Sequence, residues 1–438
     1  MDFYSQWKNI VPPDSGWAGK CHPVTMLMGA NAAGKSNFLD ALRFFSAAIE
    51  FSATTWLANR PQPHFPFELN VADKNSEPSM YELEFVFENT RYIYGFSWSY
   101  RGVHREWLDR VPGQRWAHCF VRDLEKGISW NNSFMPKSLV NELGKIGKTE
   151  LILSVALRNQ HKILAPIAQA ITSKIFHIPV GERSLRQRMN QITRMIRDGA
   201  LVLEDLSALM VAADTGIIQV KLNQRRIPPE LLKQLKATIA NLEGKKGNKV
   251  EDDASDEVAK LTDEELSDLV SSFSFVHQGE GVKKEFSIKY ESTGTLAWLA
   301  TAPLVLQVLR EGGVILADEL DASLHQTLVE LLIQAFTDES INVHGAQLVF
   351  SSHNTNFLEH AEDLGVRAHG FWFIDKNACG ASEVFSLADF SLQKNANYER
   401  RYLSGRYGAL PHVSLSTLRG LVHEVLPDDE LVKGNNCG

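Results

Sequence analysis

Residues 23–45, PVTMLMGANAAGKSNFLDALRFF, constrain the fold more than any other part of this 438-residue chain. The apolar run at 24–28 predicts a buried strand, and the apolar residues at 38, 39, 42 and 45 share one side of a following helix. Between them, residues 29–36 match Gly-x-x-x-x-Gly-Lys-Ser/Thr, a loop whose backbone N–H groups wrap around phosphate at the start of a helix. A strand, this loop and a helix in succession predict an α/β fold of the P-loop NTPase type.

Seven residues of this loop and the start of its helix are predicted to contact a nucleotide: Gly29, Asn31, Ala33, Gly34, Lys35, Ser36 and Asn37. The Lys35 ammonium adds a point charge at the phosphates and assists catalysis, while the Ser36 hydroxyl is a ligand for Mg²⁺. A guanine-specificity motif of the Asn-Lys-x-Asp kind is absent, because its nearest match, NKVE at 248–251, has a glutamate in the wrong place. The predicted ligands are therefore ATP and Mg²⁺.

Two later aliphatic runs end in side chains that suit hydrolysis. GGVILADEL at 312–320 is predicted to be a buried strand with Asp318 and Glu319 at its carboxyl end, where α/β proteins bind their ligands. Asp318 is expected to hold Mg²⁺ through water, and Glu319 to orient and deprotonate the attacking water. AQLVFSSH at 346–353 is a further strand ending in His353, a residue that can donate to a γ-phosphate oxygen.

The remaining pattern predicts one core sheet, flanked by helices and built from both ends of the chain. Residues 1–134 form its N-terminal part, with short β-rich runs at 81–123 that predict an antiparallel meander. Residues 135–270 read as a large, mainly helical insertion with a charged loop at 243–268. Residues 271–438 return to the core with the acidic strand, the histidine strand and a C-terminal hairpin.

Composition excludes some classes of protein. With 45 basic and 53 acidic residues the net charge is −8, which argues against coating nucleic acid through bulk charge. The longest apolar run, Leu296–Leu309, is too short to span a bilayer, and the chain does not open on a signal-peptide pattern. We therefore expect a cytoplasmic protein without membrane contact.

A basic stripe leaves one nucleic-acid contact open. At helical spacing, Arg183, Arg186, Arg194 and Arg197 share a face opposite apolar residues. The stripe could bind DNA, RNA or an acidic partner, or it could be an ordinary solvated face.

The pentapeptide ESTGT at 291–295, leading into an apolar helix, completes a recognisable order of motifs. Phosphate loop, long insertion, Ser/Gly motif, VILADELDASLH (314–325) and QLVFSSHNTNFL (347–358) together resemble the ABC-type ATPase core. More closely, they resemble the OLD-family ATPases, and within them the nuclease-less RloA-like subset of bacterial phage-defence operons. GASEVFSLADF (380–390) and YLSGRYGALP (402–411) are similar to that subset too, although no chemical role follows for the second.

This resemblance implies a homodimer with nucleotides at its interface, and it leaves larger assemblies open. Ser292 and the Gly294 amide of one protomer would cap the γ-phosphate bound by the other, and Asp321 would lie between the two sites. The alternative for the pentapeptide is a simple helix cap. The lobe-joining glutamine of ABC-type ATPases has only Gln62 as a candidate.

Full OLD proteins continue after the histidine strand into a Toprim nuclease domain with clustered acidic residues, but only 85 residues follow His353 and their acidic run, PDDE at 427–430, is expected to be a solvated tail. The resemblance therefore implies a sensor or switch that hydrolyses ATP and controls a separately encoded effector, expected to be a Toprim-type nuclease, in phage defence. The alternative function is a DNA-repair or recombination ATPase of the SMC/RecF-like class that binds DNA directly. Long coiled-coil heptads, which would favour an SMC-like arm, do not occur between 135 and 270.

Overall fold

The computed structural model describes residues 21–58, 66–67, 69, 78–113, 115–178, 182–223, 272–322, 324–391, 397–410, 415–416 and 419. Strands in these ranges are β1 (Val24–Met28), β2 (Ser79–Phe87), β3 (Thr90–Ser99), β4 (Gly102–Arg110), β5 (Ala117–Asp123), β6 (Gly127–Trp130), β7 (Ile175–Ile178), β8 (Ile217–Asn223), β9 (Ser272–Gln278), β10 (Lys283–Ser287), β11 (Val314–Ala317), β12 (Gln347–Ser351), β13 (Phe371–Lys376) and β14 (Ser382–Ser386). The helices are α1 (Lys35–Phe51), α2 (Thr55–Ala58), α3 (Lys137–Glu142), α4 (Ile152–Arg158), α5 (Leu164–Thr172), α6 (Glu182–Arg197), α7 (Leu203–Ala212), α8 (Thr293–Glu311), α9 (Gln326–Thr337), α10 (Asn356–Glu359) and α11 (Tyr398–Leu403).

The chain divides into two compact units. The first comprises Met1–Ile178, Val308–Asp321 and Glu330–Gly438, and the second comprises Pro179–Gln307 and Ala322–Val329. None of the helices in the described ranges has both the length and the apolar character that a membrane span needs. The three-part division expected from the sequence stays a prediction.

A six-stranded sheet forms the centre of the first unit, in the order β14-β13-β1-β12-β11-β7. Its strands are parallel except β14, which pairs antiparallel with β13 as the predicted hairpin. Every residue of β1 is buried, as expected for a parallel strand covered on both faces. The predicted α/β fold class is confirmed, and the carboxyl ends of β1, β12 and β11 lie side by side.

The predicted meander is also confirmed in the first unit. Strands β2 to β6 pair antiparallel in sequential order, each with its neighbour. Aromatic side chains of β3 pack on the C-terminal half of α1, where the rings of Phe45 and Phe96 stack with centroids 5.2 Å apart. This aromatic core continues into α4 and α5 and anchors the helix that follows the phosphate-loop motif.

A buried polar network joins this meander to the start of α4. Glu106, which is fully buried, accepts hydrogen bonds from the Tyr94 hydroxyl (2.8 Å) and the Ile152 N–H (2.7 Å). Arg122 lies 3.5 Å from the same carboxylate and donates to the Glu150 carbonyl at 2.6 Å. Burial raises the pKa of Glu106 to about 7, although Arg122 and these hydrogen bonds oppose the shift.

We expect this carboxyl group to make stability depend on pH. Because the folded-state pKa lies above the ordinary value, the contribution of Glu106 is fully present below about pH 4.5 and is lost as the pH rises through about 7. The change amounts to at most about 3 kcal/mol. Glu106→Gln should remove this component from denaturation curves measured between pH 5 and 8, whereas Glu142→Gln on the exposed surface of α3 should retain it. An identical loss of stability in wild type and Glu106→Gln would contradict the assignment.

The second unit contains a three-stranded antiparallel sheet in the order β10-β9-β8. Trp298 of α8 donates to the Leu209 carbonyl at 2.9 Å, and Arg188 of α6 donates to the Thr301 hydroxyl at 2.9 Å. These contacts pack α8 against α6 and α7 and give one arginine of α6 a buried, structural role.

Several sequence predictions concern this unit or the undescribed ranges. Of the basic stripe on α6, Arg194 and Arg197 are exposed, and Ile192 on the opposite face is buried. The side chains of Arg183 and Arg186, like Gln62 and the charged loop at 243–268, lie outside the described part of the chain.

Candidate functional site

The Gly-rich loop runs from the end of β1 to the start of α1, and its two glycines allow the β13–β14 hairpin to approach closely. Gly29 and Gly34 have φ angles of +156° and +114°. A Cβ atom at Gly29 would collide with the Ile374 carbonyl oxygen, and one at Gly34 would collide with the Ser382 hydroxyl. That hydroxyl donates to the Ala33 carbonyl at 2.6 Å. The packing of this loop therefore requires glycine at both positions.

The first turn of α1 presents backbone N–H groups at the end of this loop. The helix begins its hydrogen bonding with Phe38 N–H to the Gly34 carbonyl (3.0 Å), so the amides of residues 35–37 precede the intrahelical ladder. Gly34 at the N-cap supplies no side-chain cap, and the side chains of Asn31, Ser36 and Asn37 are exposed. Free amides at the positive end of a helix dipole favour an anion such as phosphate.

Lys35 lies inside the loop with a relative exposure of 6%. Its ammonium donates to the carbonyls of Gly29 (2.9 Å) and Ala30 (3.0 Å). Burial lowers the pKa of Lys35, and the nearby carboxylates of Glu319, Asp318 and Asp321 oppose that shift. A phosphate oxygen would offer this ammonium a charged acceptor in place of two neutral carbonyls.

Ser351, which lies in no recognisable sequence motif of its own, joins the two acidic residues. Its hydroxyl donates to the Asp318 carboxylate at 2.5 Å and accepts the Glu319 backbone N–H at 2.7 Å. Ser351 is fully buried, and Glu319 has a φ of +42°, a left-handed conformation that is costly for a residue with a side chain. The hydroxyl thus holds Asp318 in position and stabilises the strained backbone that aims Glu319.

Only the strand order could have identified Ser351. Strands β11 and β12 are parallel neighbours with Ala317 opposite Phe350, so the next residue on each strand, Asp318 and Ser351, also lies side by side. In the sequence these two residues are separated by a helix and a loop.

His353 follows the end of β12 and meets Glu319. The imidazole Nε2 is 4.0 Å from the Glu319 carboxylate, and the two side chains are 42% and 46% exposed. Both groups therefore face solvent, where Glu319 can accept a proton from water and His353 can donate to an anion. Asp321 lies in a short 3₁₀ turn, with one carboxylate oxygen buried and without a hydrogen-bond partner among the described residues.

The described part of the segment YLSGRYGALP, residues 402–410, packs on β13, the strand that contacts the phosphate loop. The sequence offers no role for this segment. The rings of Tyr402 and Tyr407 stack on Phe373 of β13, with centroids 5.2 and 5.5 Å apart. Asp375 of the same strand accepts the Ala409 N–H at 2.8 Å. Since β13 also carries the carbonyl that packs on Gly29, the segment supports the loop indirectly.

The Ser/Gly motif lies in the second unit, where Ser292 caps α8. Its hydroxyl accepts the Thr295 N–H at 3.1 Å and hydrogen-bonds the Thr295 hydroxyl at 2.8 Å. Ser292 and Thr293 are exposed, and Gly294 lies in the first turn of the helix. The pentapeptide therefore forms a helix cap. Contact with a phosphate bound by another protomer stays a prediction.

The described part of the site offers few side-chain ligands for a divalent cation. No group of three or more His, Cys, Asp or Glu side chains in the described ranges could hold a metal ion by itself. The Ser36 hydroxyl and the Asp318 carboxylate are oxygen donors of the kind that suits Mg²⁺, which commonly completes its shell with phosphate oxygens and water. The residues present fit a magnesium ion that arrives with a nucleotide.

Comparison with known proteins gives one family match. The profile of the family described as "AAA domain, putative AbiEii toxin, Type IV TA system" covers residues 24–137 and 176–359. A comparison with curated proteins finds no match.

Solved structures similar to the chain include SMC head domains. The SMC head bound to the C-winged helix domain of ScpA is 14% identical with a TM-score of 0.42, covering 88% of this chain and 95% of that one. The SMC head domain from Thermotoga maritima is 11% identical with a TM-score of 0.32, covering 83% and 89%. The SMC head with an extended coiled coil from Pyrococcus furiosus, bound to the C-terminal domain of ScpA, is 13% identical with a TM-score of 0.28, covering 86% and 91%.

Proposed function

Since the chain belongs to the AAA family described as "putative AbiEii toxin, Type IV TA system", we propose that it hydrolyses ATP as a dimeric switch that controls a separately encoded effector in phage defence. The observation that carries the enzymatic part is the hydrogen-bonded set around Ser351. Its hydroxyl joins Asp318 to the backbone of Glu319, next to the ammonium of Lys35. Within this set, Lys35 can stabilise the negative charge that develops on the phosphates, and Glu319 can accept the proton that the attacking water loses.

Each residue of the site has a proposed role in hydrolysis. The amides at the start of α1 and the Lys35 ammonium bind the phosphates and stabilise the negative charge that develops on them. Ser36 and Asp318 would hold Mg²⁺, which would neutralise charge on the phosphate oxygens. Glu319 orients the attacking water and accepts its proton, and His353 donates a hydrogen bond to the terminal phosphate.

The location of the Ser/Gly motif supports the proposed dimer. Ser292 and Gly294 lie at the exposed start of α8, a nineteen-residue helix whose positive end suits an anion. In the ABC-type ATPases that the sequence resembles, this motif contacts the nucleotide of the opposite protomer. We therefore assign Ser292 and the Gly294 amide to the γ-phosphate bound by a second copy of the chain.

The family description supports the proposed role in defence, because it names a toxin and a Type IV TA system. A Toprim-type nuclease is the effector we expect. A toxin-like or Toprim-type reading frame next to the gene supports this assignment, and neighbouring recombination genes favour DNA repair instead. Among the residues that the structure describes, direct DNA binding has specific support only from the exposed Arg194 and Arg197.

Turnover per chain should rise with protein concentration if the active species is a dimer. We expect Mg²⁺-dependent ATP hydrolysis whose specific activity increases until the dimer saturates, because each site needs groups from two chains. Light scattering under the same conditions should show the monomer giving way to the dimer. Lys35→Ala is the control for contaminating ATPases. Specific activity that is independent of concentration, with only monomer present in ATP and Mg²⁺, would contradict the dimer model.

Ser351→Ala tests the hydrogen-bonded set directly. Loss of the hydroxyl frees Asp318 and removes the acceptor for the Glu319 N–H, so we expect kcat to fall by about 10–100-fold. Nucleotide affinity should change little, because the loop and Lys35 are untouched. Ser352→Ala is a matched control, since Ser352 is also buried but accepts the Asn354 N–H instead. Equal activity of the two variants would rule out the proposed role of Ser351.

A further inference from the structure

A cavity of about 550 Å³ lies in the first unit, at the opposite end of the parallel sheet from the acidic pair. The first residues of three strands line it, namely Ile175 of β7, Val314 of β11 and Gln347 of β12. At the other ends of these strands, Asp318 follows the last residue of β11, and Ser351 is the last residue of β12. The cavity is therefore separate from the phosphate-loop site and is not part of the function proposed above.

The inner wall of the cavity is apolar. Aliphatic and aromatic side chains from α1, β2, α5, β7 and β12 form it, including Leu42, Phe85, Phe87, Ile171, Ile175 and Val349. Small-molecule sites in proteins are typically cavities of about 300–1,000 Å³ with such walls and a few polar groups. The size and lining thus suit one compact ligand with a hydrophobic body.

Among the carboxylate, ammonium and guanidinium groups around the cavity, one negative charge is in excess. The Lys174 ammonium is balanced by Glu311, whose carbonyl it donates to at 3.0 Å and whose carboxylate is 3.8 Å away. The Glu84 carboxylate pairs with the Arg91 guanidinium. Glu88, in the turn between β2 and β3, is exposed and has no ion-pair partner among the described residues. A ligand that complements these groups carries a positive charge.

We propose that this cavity binds a small hydrophobic cation, with its apolar body against Phe85, Ile171 and Val349 and its charge near Glu88. Burial of the body supplies most of the affinity. The carboxylate at the mouth provides the preference for a cation over an anion of the same shape.

Two probes of nearly identical shape and opposite charge, tetraphenylphosphonium and tetraphenylborate, separate these contributions. Calorimetric titration of the full chain should show saturable binding of one phosphonium per chain, about fivefold or more tighter than the borate. Glu88→Gln should reduce this preference without changing the stoichiometry. Because Glu88 is exposed, this variant is expected to fold normally.

A variant that fills the cavity provides a second test of the proposal. Ala170 lines it from α5, so Ala170→Trp should place an indole in the cavity and abolish binding of both ions. Gln334→Trp, at an exposed position of α9 outside the cavity, should bind both ions as wild type does. The proposal is overturned if neither ion binds wild type saturably, if the two ions bind equally, or if folded Ala170→Trp retains binding.

Discussion

Replacing Glu319 with glutamine is expected to lower ATP turnover by about 10²–10⁴-fold, because the amide cannot accept a proton from the attacking water. The substitution preserves the size of a side chain that is 46% exposed and leaves its backbone N–H bonded to Ser351. The phosphate loop and Lys35 are unchanged, so nucleotide affinity should be retained. Steady-state hydrolysis and equilibrium binding of ATP, measured on the same preparation, distinguish the two effects.

The same variant should accumulate as an ATP-bound dimer, because hydrolysis is the step that would normally separate the protomers. Light scattering with ATP and Mg²⁺ should show dimer for Glu319→Gln and a smaller dimer fraction for wild type. Glu359→Gln, on the exposed surface of α10, is the matched control and should behave as wild type does. A Glu319→Gln protein that binds ATP yet stays monomeric would refute capping of the phosphate by a second chain.

The second large effect is expected at Ser292, where Ser292→Arg should reduce hydrolysis by about 10²–10³-fold, as expected when a preorganised phosphate contact is lost. Nucleotide binding by the isolated chain should persist, since Ser292 belongs to the second unit and the phosphate loop to the first. Arginine also removes a helix cap, at a cost of about 1 kcal/mol. Ser292→Asp keeps a strong cap but places a carboxylate against the phosphate, so it should impair hydrolysis while leaving α8 intact.

Mixing two inactive proteins tests whether Ser292 acts across the dimer. A Ser292→Arg chain retains Lys35, and a Lys35→Ala chain retains Ser292, so each mixed dimer contains one complete site. An equal mixture should recover about a quarter of wild-type activity if the two chains pair at random and the sites act independently. Absence of any recovery, with mixed dimers shown to form, would mean that Ser292 serves the nucleotide of its own chain or only caps α8.

The site residues that could be predicted from the sequence are those that lie in short sequence motifs. Three motifs are of this kind: the Gly-Lys-Ser motif, the acidic pair after an aliphatic run, and the histidine after the next run. In each, an apolar run that predicts a strand is followed by characteristic polar residues. Such motifs can be recognised in the sequence because a strand and the residue that follows it are adjacent in the chain. The structure brings Lys35, Asp318, Glu319 and His353 together at the carboxyl ends of the parallel strands.

Strand β7 illustrates where local pattern is insufficient. Residues 175–178, IFHI, form a four-residue run inside a stretch that the sequence predicts to be mainly helical. Their pairing with Val314–Ala317 makes them the edge of the core sheet. A run this short has no periodicity of its own, so its conformation depends on the strand beside it.

The sequence by itself determined the P-loop fold class, the meander, the strand-borne acidic and histidine residues and the capping motif before α8. Tertiary structure alone decided that Ser351 joins Asp318 to Glu319, that Ser382 and Ile374 pack against the loop glycines, and that residues 402–410 pack on β13. Ser382 bonds the Ala33 carbonyl across 349 positions of the chain. Contacts of this kind depend on strand order and register, and those are selected by the burial of whole elements rather than by any short stretch of sequence.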